Sequence, residues 1–239
     1  MRHRFTVLLV FIVTLLALLP FIRGDELAIL TIKLVLSAIL ISGIYVARQM
    51  RTGFVVASLL ALPPLVGRWV PRYSSDIRVF LAIDLLTAVF LLYITIMMLN
   101  RVLNAHRVTL DTIAGALCAY LLIGLTWAFV YRAMFVINPH SFVFASGNFT
   151  QIFETDNRFE PQLMNFAYYS YTALTTTGFG DITAASPATR GVSLFEAMAG
   201  QFFIAVLVAR LVSLELVHSA RGNRAEADWQ LDSDPHFLR

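Results

Sequence analysis

Apolar residues gather into six runs, at 5–22, 27–47, 54–70, 77–99, 109–136 and 191–217, and the charged residues gather between them. Repeated apolar runs of about 18 residues or more have the length of helices that cross a bilayer. The first run follows Arg2 and Arg4. A basic start and an apolar stretch also make a secretion signal, but Leu18-Leu19-Pro20 leads into no clear small-x-small cleavage site, so the run reads as a retained span. In the second run Lys33 lies within two turns of the start, near enough to snorkel, and Arg48 and Arg51 close it. The third is weaker. Pro63-Pro64 interrupts it and Arg68 shortens it, which fits either a kinked span or a partly interfacial segment. The fourth encloses Asp84 and is followed by Arg101, His106 and Arg107. The fifth opens on Asp111 and carries Trp127 and Tyr131 near its far end.

Between the fifth and sixth runs the pattern changes. Residues 137–162 are polar, with Glu154, Asp156 and Glu160 against the single basic Arg158. Such a rim either raises the local cation concentration or is an ordinary solvated loop. Asn148-Phe149-Thr150 matches a glycosylation sequon, a frequent chance match. From Pro161 to Thr175 the sequence predicts a short helix. Pro161 suits its first turn, Glu160 suits the positive end of its dipole, and Phe166, Tyr168, Tyr169 and Tyr171 coat it with rings. It is too short to cross a bilayer, so it is expected to re-enter.

Composition agrees with the runs. The 239 residues are 58% hydrophobic and only 14% charged, with mean hydropathy +0.73. A soluble domain carries about 25% charge. The excess of +3 fits cytoplasmic arginines, and no basic run is long enough to be a nucleic-acid surface. The single cysteine, Cys118, excludes an intrachain disulfide and a cysteine-based metal cluster, and at mid-span it reads as a packing residue. With six spans and both ends inside, the inner segments hold Arg2 and Arg4, Arg48 and Arg51, Arg101 and Arg107, then Arg221 and Arg224. Arg68, Arg72 and Arg78 break that pattern; if the third run does not cross, the amino terminus lies outside.

The stretch Thr175-Thr176-Thr177-Gly178-Phe179-Gly180-Asp181 organises the rest. Successive carbonyls of an ordinary strand point to opposite sides. To turn them all one way, alternate residues must take backbone angles open mainly to glycine, and Gly178 and Gly180 alternate with side-chain-bearing residues. A ladder of oxygens repeated around an axis can replace the water shell of a bare cation. Thr176-Thr177-Gly178-Phe179-Gly180-Asp181 resembles the selectivity filter of potassium channels, usually Thr-Val-Gly-Tyr-Gly-Asp. The resemblance covers residues 160–217, a pore helix, a filter and a last span.

The resemblance implies a role for each residue. Thr176 would offer its carbonyl and its hydroxyl at the inner end, Thr177, Gly178 and Phe179 their carbonyls, and Gly180 a carbonyl at the mouth. These would be the potassium ligands. Asp181 would be the outer carboxylate, tied to Tyr168, and with Thr175 these two would support the filter. The aromatic coat resembles the cuff that braces the family's ladder, and the helix's carboxyl end would favour a dehydrating cation near mid-membrane. Two departures stand out. Thr177 replaces valine and adds a hydroxyl that needs a partner; Phe179 replaces tyrosine and loses a tethering phenol. Gly200 follows Gly180 by the offset at which the family carries a hinge glycine, although a glycine also lets helices approach closely. Gln201, Ile204 and Val208 recur at helical spacing and could line a cavity. The run from Glu196 to Gln201, then Ala205 to Leu211, resembles bacterial six-span channels without voltage sensors. Arg210 and Glu215 sit near the inner exit, and Glu196 is costly within a membrane unless partnered.

One chain carries one such segment, so a ring of oxygens requires a homotetramer. The chain divides into residues 1–108, about four transmembrane helices; 109–217, the pore domain; and 218–239, a short cytoplasmic tail holding Glu226, Asp228, Asp232 and Asp234. That tail is too short for a folded ligand-binding domain. The fourth run has no arginine between Val79 and Leu99, so little voltage sensitivity is expected. Lys33 and Asp84 would each cost less if they paired. No metalloprotease, nucleophile-elbow or phosphate-loop motif is present, so an enzyme is not expected. The expectation is an all-α, multi-pass protein of the cell membrane with about six transmembrane helices, tetrameric, in contact with lipid, conducting potassium without an organic cofactor or a nucleic acid, and leaving room for a regulatory subunit. A weakly selective cation channel and a non-conducting membrane sensor on the same scaffold are the alternatives.

Overall fold

The computed structural model describes residues 4–18, 26–48, 51–70, 76–105, 109–145 and 160–233, and the side chains of the last helix only as far as Ser213. The described chain is mostly helical: α1 (Arg4–Leu18), α2 (Glu26–Ala47), α3 (Arg51–Gly67), α4 (Ile77–Leu103), α5 (Leu110–Ile137), α6 (Glu160–Leu174) and α7 (Pro187–Ser233). Four of these, α2, α4, α5 and α7, are long and apolar enough to cross a membrane. The apolar parts of α1 and α3, Phe5–Ala17 and Thr52–Gly67, are shorter. Glu154, Asp156, Arg158 and the sequon lie outside the described residues.

Polar side chains set the helix starts. Asp76 accepts from the Arg78 amide at the head of α4, Thr109 accepts from Thr112 at the head of α5, and Ser186 accepts from Thr189 ahead of Pro187 in α7. α3 runs through Pro63-Pro64 without ending, so the third run is one helix. α7 continues as helix to Ser233, through the stretch expected to be a tail.

α4 packs along α5, α1 lies against both α2 and α5, and α6 lies against α5. Leu8 and Ile12 of α1, Ile39 of α2, Phe90 of α4 and Leu122 of α5 share one buried cluster. Two cations lie within this bundle. Arg132 of α5 ion-pairs with Asp84 of α4, its Nε donating at 2.7 Å, and its guanidinium sits 4.9 Å from the Phe80 ring centre and 5.1 Å from that of Phe129. The carboxylate therefore takes Arg132 as a partner, a residue that the sequence reading passed over. Arg68, expected at an outer boundary, is 3% exposed; it donates to Thr87 Oγ1 and its guanidinium lies 5.7 Å from the Phe129 ring centre.

The helical expectation misses one feature. Phe142–Phe144 (β1) and Ile182–Ala184 (β2) form a two-stranded antiparallel sheet, Phe142 opposite Ala184 and Phe144 opposite Ile182. Three-residue strands carry no run long enough to read from a sequence. α7 differs from the other long helices: only 11% of its membrane-length part is buried, against 50% of α4 and 56% of α5.

Candidate functional site

The site begins where α6 ends. Thr175, Thr176, Thr177 and Gly178 turn their amides back onto the last turn of α6: Thr175 to Tyr171 O, Thr176 to Ala173 O, and both Thr177 and Gly178 to Thr172 O. Thr176, Gly178 and Gly180 have φ of 56°, 53° and 82°. Every second residue is thus left-handed, the alternation that brings carbonyls to one side of an extended chain. The glycines adopt it freely, and Thr176 does so as the only described non-glycine residue with positive φ. Residues 175–181 are exposed, and among the described residues the carbonyl oxygens of 176–180 accept no hydrogen bond.

The side chains hold the strand from behind. Thr175 Oγ1 donates to Tyr171 O at 2.7 Å and lies 2.9 Å from Thr177 Oγ1, so the hydroxyl that Thr177 adds has a partner. Thr176 Oγ1 donates to Thr175 O and accepts from Gln201 Nε2 of α7 at 3.1 Å. The Phe179 ring stacks on Tyr168, 6.2 Å between centres and 7° from parallel. The Tyr168 hydroxyl lies close enough to the Asp181 carboxylate to feel its charge. Beyond it, Asp181 O accepts from Ala145 N at 2.8 Å, so β1 and β2 clamp the outer end.

The aromatic coat of α6 divides by direction. Tyr168 meets the strand of residues 175–181. Phe166 and Tyr169 enter a cluster with Tyr131 and Phe135 of α5 and Phe142 of β1, with ring centres 5.0–5.3 Å apart across the contacts Tyr131–Tyr169, Phe135–Phe166 and Phe142–Phe166. Tyr171 donates to Leu121 O of α5.

α7 closes in beneath. At Gly200 an added Cβ would lie 2.2 Å from the Leu174 carbonyl oxygen, so the glycine lets α7 touch the end of α6. Ile204 and Val208, one and two turns below Gln201, are exposed, while Phe203 and Leu207 turn toward α4 and α5. Arg210 donates to Ala105 O; the side chain of Glu215 lies outside the described residues.

Two contacts had no sequence signal. One is the β clamp. The other is Glu196, fully buried, which accepts from Tyr131 of α5 and contacts Ser170 of α6. Its cost within a membrane was legible; its partners were not.

A family model described as an ion channel matches residues 120–215, from within α5 to within α7. No curated protein and no solved structure matches the chain.

Proposed function

We propose that this membrane protein, whose residues 120–215 match a family model described as an ion channel, is one subunit of a homotetrameric channel that conducts potassium passively. The observation that carries the reading is the left-handed alternation at Thr176, Gly178 and Gly180 on an exposed strand with unspent carbonyl oxygens. Four such strands around an axis would give rings of oxygens able to replace the shell of a dehydrated cation. Thr176, Thr177, Gly178, Phe179 and Gly180 would be the ion ligands. Asp181, Tyr168 and Thr175 would hold the ladder's spacing, and Gln201, Ile204 and Val208 would face the water-filled approach. Thr177 and Phe179 both direct their side chains onto neighbours behind the strand, Thr175 and Tyr168, which favours the selective reading over a loose cation pore.

The nearly bare α7 supports the tetramer. Phe195, Met198, Phe202 and Val206 are exposed on it, and a helix at the centre of a fourfold assembly would bury that surface against its copies.

Purified protein in liposomes tests the reading. It is expected to pass potassium, and Gly178→Ala to abolish the flux. A reversal potential that barely shifts when potassium is exchanged for sodium would defeat the selective assignment. No flux under any cation would leave the scaffold as a non-conducting subunit.

A further inference from the structure

Glu196 is a carboxyl group at the meeting point of three helices that the ion ladder does not use. The hydrogen atoms around it can be counted. A tyrosine or serine hydroxyl has one hydrogen to give, and a backbone carbonyl has none. Ser170 Oγ lies 2.6 Å from Gly124 O of α5 and also contacts Oε1 of Glu196. Gly124 O can only accept, so the Ser170 hydrogen belongs there. The hydrogen between Ser170 and Glu196 must then come from Glu196. On the other oxygen, Tyr131 donates to Oε2. Tyr169 and Ser193 do not compete: Ser193 Oγ gives its hydrogen to Thr189 O at 2.8 Å, leaving Tyr169 to donate to Ser193.

An ionised Glu196 would reverse this. Ser170 could serve the carboxylate only by leaving its oxygen 2.6 Å from the Gly124 oxygen with no hydrogen between them. The titratable groups facing Glu196 are Tyr120 and Tyr131 of α5 and Tyr169 and Tyr171 of α6. All are neutral phenols. Among the described residues no cation forms a salt bridge to it. A buried charge without a counter-charge is disfavoured in a membrane.

We propose that Glu196 is held as a neutral carboxylic acid and is a positioning residue of the pore: its proton closes a chain from α7 through Ser170 of α6 to the Gly124 carbonyl of α5. The inference rests on the pore reading for its functional part only. Loss of that proton to water leaves Ser170 one hydrogen for two acceptors. The bond between α7 and α6 or the bond between α6 and α5 must then break, one turn before the strand of carbonyls begins.

Two measurements on the full-length protein in liposomes test this. The first is infrared spectroscopy. The wild-type minus Glu196→Gln difference spectrum at neutral pH is expected to contain the C=O stretch of a protonated acid, moved to a different frequency in Ser170→Ala. A carboxylate band in its place overturns the proposal, whether or not the protein conducts. The second is potassium flux against pH. Wild-type flux is expected to fall on the alkaline side over the range in which the acid band disappears. Glu196→Gln, whose amide can accept from Tyr131 and donate to Ser170, is expected to conduct at neutral pH with no alkaline loss. Glu196→Leu is expected to lose about tenfold or more at every pH, since the Tyr131 hydroxyl loses its acceptor and Ser170 loses its link to α7. Coincident wild-type and Gln profiles across that range overturn the positioning role. An acid band in a protein that passes no ion separates failure of the channel reading from failure of this one.

Discussion

At the scale of single residues, three positions behave in ways that their neighbours in sequence do not explain. Gly200 is set by space. Its missing Cβ would overlap the Leu174 carbonyl oxygen, which belongs to backbone and cannot rotate away. Gly200→Ala is therefore expected to push α7 from α6 and destabilise the protein by about 1–3 kcal/mol. Gly191→Ala, where nothing lies within 4 Å, is the matched control and is expected to be nearly neutral. Thermal melts of the two in the same detergent check the contrast. Gly178 is set by backbone angle instead. The space around it is open, but φ of 53° costs a side-chain-bearing residue about 1–2 kcal/mol. Its loss is expected to appear in flux more than in stability. Thr176 carries that same penalty in the native chain, and the Gln201 contact on its hydroxyl helps to hold it.

Pairs of elements are held by polar contacts placed inside apolar surfaces. α4 and α5 share the Asp84–Arg132 pair, roofed by Phe80 and Phe129. A buried pair adds little over an apolar pair of the same volume, but a single survivor is left charged in a dry place. Arg132→Met alone is expected to cost about 3–5 kcal/mol. Adding Asp84→Leu to it is expected to recover most of that loss. Unfolding of the two single variants and the double variant forms the cycle that measures it, and additive losses would contradict the coupling. Hydroxyl contacts that position α6 include those from Tyr171 to Leu121 O, Ser170 to Gly124 O and Tyr169 to Ser193. The first two reach α5 and the third α7. The outer end of the carbonyl strand is clamped in turn by the β1–β2 pairing through Ala145.

For the whole molecule, the contrast between α7 and the other long helices is the informative quantity. α4 and α5 bury about half of their membrane-length parts within one chain, and α7 almost none. Lipid could cover such a helix. In the proposed tetramer, water and three further copies of the chain would cover it instead. Native mass measurement in mild detergent is expected to give four 26.7-kDa chains. A charged substitution at Phe202, 63% exposed in one chain, is expected to dissociate them without unfolding the subunit. A monomer from the unmodified protein would defeat the assembly. The fourth helix carries no arginine ladder, so gating charge is expected to be small, as voltage-step recordings would show.

The apolar runs and the glycine alternation were sufficient to locate the apolar helices, the short α6 and the left-handed alternation after it. Both signals are local: a span is a length of apolar chain, and a left-handed residue is cheapest at glycine. Contacts between segments distant in the chain were not legible, because each depends on which helix faces arrive together. Asp84 announced a need for a partner but not that Arg132, 48 positions away, would meet it. Arg68 read as a boundary marker until the packing of α3 on α4 turned it inward. Three-residue strands exist only because Phe142–Phe144 and Ile182–Ala184 are brought side by side. The proton that Glu196 is proposed to hold depends on Ser170 lying between a carboxyl group and a carbonyl oxygen, a spacing that no pattern along the chain encodes.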